Sequence, residues 1–193
     1  MSSVDEVVAA LVDGELVVIP TDTVYGLACR PDAEAAVRAL SELKRRSPEQ
    51  PVALVGASFS ALREFVPELT EHALPTGPFT LVLPNPARRL AWLAGNRPDT
   101  IGVRLPDVAG DAAELLARVG VVAATSANLH GGRDPRRLDE VPTEILAGVR
   151  ATLDGGELPG TASTVVDLTG DAPRVLREGA VAADEALRRM SGV

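Results

Sequence analysis

Pro20-Thr21-Asp22-Thr23-Val24-Tyr25-Gly26-Leu27 decides how the chain is read, because it follows directly on the apolar run Leu16-Val17-Val18-Ile19. A short β-branched-rich run that stops at a proline predicts a buried strand, so the polar groups beyond it are delivered to the strand's C-terminal edge. That edge is where open α/β sheets take ligands. Two threonines, an aspartate, the chain's one tyrosine and a glycine supply short hydrogen-bonding groups and one backbone position without a Cβ. On local grounds a binding loop and an ordinary strand-to-helix connection capped by Asp22 or Thr23 fit equally well.

Before this stretch, Val7, Val8 and Leu11 at helical spacing predict a helix ended by Asp13-Gly14. After it, Val37, Leu40 and Leu43 form the apolar face of a helix starting near Pro31, with Lys44, Arg45 and Arg46 in the last turn, where the macrodipole favours cations. Strands are expected at Val52 to Val55, Phe79 to Leu83, Ile101 to Leu105, Val121 to Ala124, Ala151 to Leu153, Ser163 to Leu168 and Val175-Leu176. Helices are expected at Phe59 to Phe65, Asp111 to Val119, within Leu138 to Leu146, and at Ala182 to Met190. Ser47 to Pro51, Gly131 to Arg137 and the flexible stretch of Gly155, Gly156, Pro159 and Gly160 read as loops, and Gly131-Gly132 and Gly155-Gly156 as hinge candidates. Strands alternating with helices imply an α/β sheet protected on both faces.

A length of 193 residues suits one domain over the whole chain, 1–193. With 46% hydrophobic and 3% aromatic residues, the core must be built from Val, Leu, Ile and Ala. No run approaches a membrane span, and the N-terminus lacks the pattern of a secretion signal. The single cysteine, Cys29, rules out an internal disulfide and suits a reducing cytosol, so a cytoplasmic protein is expected. His72 and His130, far apart in sequence, do not form the ligand spacing of a zinc site. A net charge of -8 opposes nucleic-acid binding by bulk electrostatics. It leaves local patches open at Arg133, Arg136 and Arg137 and at Arg88-Arg89.

The chain has no Gly-x-x-x-x-Gly-Lys-Ser/Thr loop, no Gly-x-Gly-x-x-Gly after a strand and no Gly-x-Ser-x-Gly elbow. Four places can carry chemistry, each with an ordinary alternative. The first is the opening stretch. The second is Lys44-Arg45-Arg46, where Lys44 is the sole lysine among 19 basic residues. On a helix Lys44 and Arg46 lie about 200° apart, so they meet one anion only if Arg46 leaves the helix, as Ser47-Pro48 favours; the alternative is a solvated helix end. The third is Thr125-Ser126-Ala127-Asn128, whose hydroxyls and N–H groups can turn toward an anion or cap a helix. The fourth is Ser163-Thr164 with Arg177, an arginine in an apolar strand that must reach solvent, a carboxylate or a ligand.

With these in place, the chain resembles the threonylcarbamoyl-AMP synthase family, the single-domain tRNA-modification enzymes of YrdC/Sua5 type. The resemblance rests on Pro20 to Leu27, Lys44-x-Arg46, Gly77-Pro78-Phe79-Thr80-Leu81-Val82-Leu83, Val103-Arg104-Leu105-Pro106, Thr125-Ser126-Ala127-Asn128, Ser163-Thr164-Val165-Val166-Asp167 and Leu176-Arg177-Glu178-Gly179, in the family's order. It implies a twisted open mixed α/β sheet flanked by helices, of the YrdC/RibB-like kind. It implies a nucleotidyltransferase that makes threonylcarbamoyl-AMP and pyrophosphate from L-threonine, bicarbonate and ATP, for transfer to tRNA by partner proteins, with Mg²⁺ arriving on ATP. Thr23 and Arg104 would hold threonine, with Thr125 and Ser163 beside them. Lys44, Arg46, Ser126, Asn128 and Arg177 would hold the phosphates and the adenylate, with Lys44 and Arg46 the catalytic cations. Ser47, Gln50, the Val52-Ala53-Leu54-Val55 run and Val108 depart from the family's usual residues. The chain runs one helix past Arg177, so the C-terminal domain of longer relatives is expected to be absent. Two other readings stand beside the synthase: a non-catalytic RNA-binding module on the same fold, and a paralogue that adenylates another carbamoyl substrate; weak RNA binding is open as a partner interaction.

Overall fold

A computed structural model describes residues 2–69 and 74–190, so His72 lies outside the described residues. In chain order the elements are α1 (Val4–Val12), β1 (Val17–Ile19), β2 (Gly26–Cys29), α2 (Glu34–Leu43), β3 (Ala53–Gly56), α3 (Phe59–Phe65), β4 (Phe79–Pro84), β5 (Thr100–Arg104), α4 (Gly110–Val119), β6 (Val121–Ser126), α5 (Thr143–Ala147), β7 (Ala151–Thr152), β8 (Thr164–Asp167), β9 (Arg174–Arg177) and α6 (Ala183–Met190). Short 3₁₀ turns fall at Ala91–Leu93 and Leu138–Glu140.

The strands form one open mixed sheet in the order β7-β1-β2-β6-β3-β5-β4-β8-β9. Its parallel pairs are β1/β7, β3/β5 and β4/β8, and the remaining neighbours are antiparallel. The expected α/β class and mixed sheet are present.

The opening stretch is a hairpin, which corrects its reading as a loop. Gly26–Cys29 returns antiparallel to β1, with Ile19 opposite Gly26. Thr21 closes the turn: its hydroxyl donates to the Val24 carbonyl at 2.7 Å and accepts from the Thr23 and Val24 amides at 3.2 and 3.3 Å. A side-chain oxygen thus replaces the missing backbone partners and sends the chain straight back into the sheet. Tyr25 points away from the ligand-binding groups expected around it. Its ring is fully buried, and its phenol donates to Asp154 Oδ1 at 2.7 Å and accepts from Gly155 N at 2.9 Å. Further bonds, Gly160 N to the Thr23 carbonyl and Leu158 N to the Arg136 carbonyl, each 2.8 Å, tie residues 154–160 to the hairpin and its neighbour. The stretch expected to be flexible is therefore pinned, with Gly155 packed too tightly on Pro20 to admit a Cβ.

The two faces of the sheet are covered unequally. One face packs Leu27, Leu54, Leu81, Ile101, Val103 and Ala123 against α2, α3, α5 and α6 through Leu40, Leu62, Ile145 and Ala186. The other packs Val17, Ile19, Ala28, Val122 and Ala124 against α1 and α4 through Val7, Leu11, Leu115 and Leu116. Each fully buried Leu or Ile contributes about 1.5–3 kcal/mol. The α1–α4 pair covers the β7-β1-β2-β6 side of its face and reaches no further than Val55 of β3. The expectation of a sheet protected on both faces fails over the β3-β5-β4-β8 half, because the segment after β4 and the crossover into β8 carry no helix that lies on it.

Cys29 sits fully buried in β2, and burial, aided by the Asp32 charge, pushes its thiol up to about 12 from 9.0. The folded chain keeps a proton that the unfolded chain releases above pH 9.0, so this contribution to stability is intact below that pH and is lost as pH rises toward 12. The slope is about 1.4 kcal/mol per pH unit. Cys29→Ala should start less stable at neutral pH but lose melting temperature less steeply than the natural chain between about pH 9 and 11, as read by thermal denaturation across that range.

Candidate functional site

The uncovered half of the sheet is the floor of a cavity of about 470 Å³. Strand alternation sets the floor: Ala53 and Val55, Thr80 and Val82, Thr100, Gly102 and Arg104, and Val165 point into it, while the residues between them fill the opposite core. Topology assembles the walls. Because β2 and β3 both run antiparallel to β6, the hairpin turn, the approach to β3 and the end of β6 meet at one end of the sheet. The end of β5 and the starts of β4 and β8 come together similarly. The site lies on a face of the sheet as well as at strand ends, unlike the C-terminal-edge site the sequence suggested.

Arg104, 8% exposed, donates through Nη2 to Asp22 and to Thr23 Oγ1, the latter at 2.9 Å. Asp22 also accepts from the Asp107 amide at 3.1 Å. Burial depresses the pKa of Arg104, the Asp22 charge opposes that shift, and the nearby Arg177 adds to it. Thr21 has committed its proton to Val24, so Thr23 is the donor in the 3.0 Å contact between their hydroxyls. Thr23 is thereby aimed and 1% exposed. Across the cavity Ser163 Oγ meets Thr80 Oγ1 at 2.8 Å, and Arg177 reaches the Ser163 carbonyl at 2.8 Å.

Arg46 leaves α2 as expected: Lys44 caps the helix, Arg45 adopts φ +54°, and Arg46 swings into the cavity. Its guanidinium donates to Thr125 Oγ1 at 3.2 Å and to the Gln50 and Pro51 carbonyls. Lys44 does not follow it. Its ammonium is buried behind the cavity wall, donating to the Ser126 carbonyl, to the Asn128 carbonyl at 2.6 Å and to Asn128 Oδ1 at 2.8 Å. The same Oδ1 accepts from Ser126 Oγ at 2.6 Å, and Asn128 Nδ2 donates to the Gly132 carbonyl at 2.6 Å. Burial first, then the Arg46 charge, brings Lys44 down to about 8, and burial brings Arg46 to about 10.

Of the residues singled out in the sequence, Thr23, Arg46, Arg104, Thr125, Ser126, Ser163 and Arg177 line this cavity. Lys44 and Asn128 do not line it. They fix the turn that presents Ser126, because the helix end faces the backbone of the β6 turn and not the open floor. The sequence reading passed over Asp22 as a counter-ion, and over Thr80, Asn96 and Arg97. Thr80 had a signal, a polar side chain at an alternating strand position. Arg97 is held by Asp167 and Thr169, both at 2.9 Å. Of the basic loop, Arg136 pairs with Glu157 and Arg137 with Asp139, which leaves Arg133 without an ion pair among the described residues.

The cavity is built for anions. Asp22 and Asp167 neutralise Arg104 and Arg97, but Arg46 and Arg177 have no carboxylate partner among the described residues. The Nε atoms of Arg46 and Arg104 are buried without any hydrogen-bond partner there. Such donors are costly to leave unmet, so the arrangement favours ligands that bring acceptor oxygens. Asp22→Asn would leave Arg104 buried without a counter-charge. We expect a loss of about 3–5 kcal/mol in urea unfolding, partly restored by a saturating carboxylate ligand; full stability without ligand would contradict the ion pair's role.

The chain is similar to several known proteins. A family model for Sua5/YciO/YrdC proteins, described as "Telomere recombination", matches residues 9–179. The Pyrococcus abyssi threonylcarbamoyl-AMP synthase is 36% identical over 182 residues, covering 90% of this chain and 53% of the relative. The Escherichia coli protein of the same name is 35% identical over 152 residues, covering 72% of this chain and 80% of the relative. The crystal structure of P. abyssi Sua5 complexed with L-threonine superposes with a TM-score of 0.86 at 32% identity, over 98% of this chain and 58% of that one. No helix among the described residues is long and apolar enough to cross a membrane. With most of its length inside the family match and that degree of identity to named synthases, the chain belongs to the Sua5/YciO/YrdC family.

Proposed function

We propose that this chain is an L-threonylcarbamoyladenylate synthase, a nucleotidyltransferase that joins L-threonine, bicarbonate and ATP. The observation that carries the reading is one cavity where the Arg46 and Arg177 charges lack carboxylate partners and the buried Nε atoms of Arg46 and Arg104 are unmet. All three substrates are anionic or carry a carboxylate, and planar guanidinium groups suit them bidentately.

Thr23 and Arg104 hold the threonine carboxylate and hydroxyl in this scheme, with Thr125 and Ser163 alongside. Arg46, Ser126 and Arg177 meet the phosphates, while Lys44 and Asn128 keep the Ser126 turn in place from behind. The threonine nitrogen takes up the bicarbonate carbon with loss of water, which gives an N-carboxylate. One of its oxygens then bonds to the α-phosphorus, and the bond to the departing pyrophosphate breaks, carrying the electron pair away. Such a transfer needs positioning and charge neutralisation more than a protein nucleophile. Among the described residues no group of three or more His, Cys, Asp or Glu side chains is placed to hold a metal ion. In this scheme Mg²⁺ enters on the triphosphate as part of the nucleotide substrate. The adenylate would pass to tRNA through partner transferases.

Pyrophosphate release with ATP, Mg²⁺ and bicarbonate should depend on L-threonine and be accompanied by a new adenylate in nucleotide chromatography. Thr23→Val should raise the threonine KM by roughly tenfold or more, and Arg46→Ala should lower kcat by about 10²–10³-fold, both without unfolding. Threonine-independent release would point to a different carbamoyl acceptor, and salt-sensitive RNA binding without any release to a non-catalytic module.

A further inference from the structure

Residues 153–163, between β7 and β8, form neither helix nor strand, yet this strap ends in the cavity wall, where Ala162 and Ser163 face the ligand space. Irregular backbone keeps one shape only where its polar groups find fixed partners. Three anchors supply them. At the start, the Tyr25 phenol donates to Asp154 Oδ1 at 2.7 Å, with the Gly156 carbonyl also in reach at 2.9 Å, and accepts from Gly155 N at 2.9 Å. The same carboxylate oxygen accepts from Gly156 N at 2.9 Å. In the middle, Leu158 N meets the Arg136 carbonyl and Glu157 pairs with the Arg136 guanidinium. Near the end, Gly160 N donates to the Thr23 carbonyl at 2.8 Å.

The first anchor is the strongest. The Arg136–Glu157 pair is open to solvent and contributes little, and the Gly160 bond forms only once the strap lies over the hairpin. Tyr25, by contrast, is fully buried in the core beside Leu27 and Leu54. Its backbone joins two further parts of the site: Tyr25 N donates to the Pro135 carbonyl at 2.9 Å, and its carbonyl accepts from Ala127 N at 2.8 Å, next to Ser126. Burial alone does not ask for a phenol here. Phenylalanine would fill the core as well, and Thr21 already closes the hairpin, so the hydroxyl serves the strap. Burial first, then the bond to Asp154, pushes the phenol up to about 12, which keeps it a donor throughout the neutral range.

We propose that Tyr25 and Asp154 are positioning residues for the threonine half of the site, their hydrogen bond holding the strap down so that Gly160 fixes Thr23 and Ser163 faces it across the substrate. The proposal rests on the synthase reading for the identity of that substrate. Neither side chain lines the cavity, so both act through the strap. β8 fixes Ser163 from the other side, through Thr164 N on the Pro78 carbonyl at 2.9 Å. Arg46 follows α2 and Arg177 belongs to β9, so the backbone that carries the phosphate-binding groups does not run through the strap.

The test uses the full chain, with threonine-dependent pyrophosphate release and calorimetric titration of L-threonine. Tyr25→Phe should raise the threonine KM roughly tenfold and leave kcat and the ATP KM unchanged. Asp154→Ala should act the same way but by only about threefold, because the Gly156 carbonyl can still take the phenol proton. Asp154→Asn keeps an accepting oxygen and should restore the natural KM, and Tyr25→Phe/Asp154→Ala should be no worse than Tyr25→Phe alone. Additive effects in the double variant, equal rises in both KM values, or an unchanged threonine KM in folded variants overturn the proposal. So does an Asp154→Asn variant as weak as Asp154→Ala. Should thermal melts show Tyr25→Phe unfolded, the two Asp154 variants decide, since that side chain lies outside the core. If the natural chain neither binds L-threonine nor releases pyrophosphate, the synthase reading falls and takes this proposal with it; if the natural chain and the variants bind L-threonine equally well, only the positioning role falls.

Discussion

The site exists because one face of a nine-stranded sheet has too few helices to cover it. The α1–α4 pair buries the β1-β2-β6 side, and the floor formed by β3, β5, β4 and β8 is left for a ligand. Hydrophobic burial would ordinarily close such a face. Here Gly102, Ala53, Thr80, Thr100 and Arg104 interrupt Val55, Val82 and Val165 at the alternating positions, so no continuous apolar stripe remains to hold a helix. An exposed apolar sheet face would be an aggregation hazard, whereas this one holds its charges on arginines oriented by Asp22 and Asp167.

The charge arrangement follows from burial. Arg104 is almost fully enclosed and therefore needs Asp22, which removes most of its net charge while leaving its Nε unmet. Arg46 and Arg177 are held by neutral oxygens only, so their charge remains available to a ligand. In a chain with a net charge of -8 this concentrates positive potential in one concave place. Lys44 sits a layer deeper. Its three oxygen partners make it a clamp on the turn after β6, and its depressed pKa reflects enclosure beside Arg46.

Much of this was legible in the sequence because local rules apply to it. The helix before Lys44, the Ser47-Pro48 break that frees Arg46, the apolar strand leading into Thr125 and the strand bearing Arg177 are all set by neighbours in the chain. The parts that were missed depend on distant partners. Gly26–Cys29 is too short and glycine-led to announce a strand, and it became one through Thr21's closure of the turn and pairing with β6. Tyr25 turns into the core and away from the cavity because Asp154, remote in sequence, offers its phenol a partner. Asp22 looked like a cap and serves as the counter-ion of Arg104, which no local pattern encodes. The sheet's bare half reflects which connections lack helices, a matter of topology.

The same topology governs how the site comes into being. Thr23 meets Arg104 across 81 residues, Arg46 meets Thr125 across 79, and Thr80 meets Ser163 across 83. No hairpin or helical unit contains even one complete pair, and contacts of such long range form late because their loops must close first. A nascent or truncated chain that ends before Ser163 therefore has only the Thr80 half of that wall. Ligand affinity in this protein then reports completed folding of the whole sheet, and a bound ligand stabilises the global native state, with no separable piece to act on.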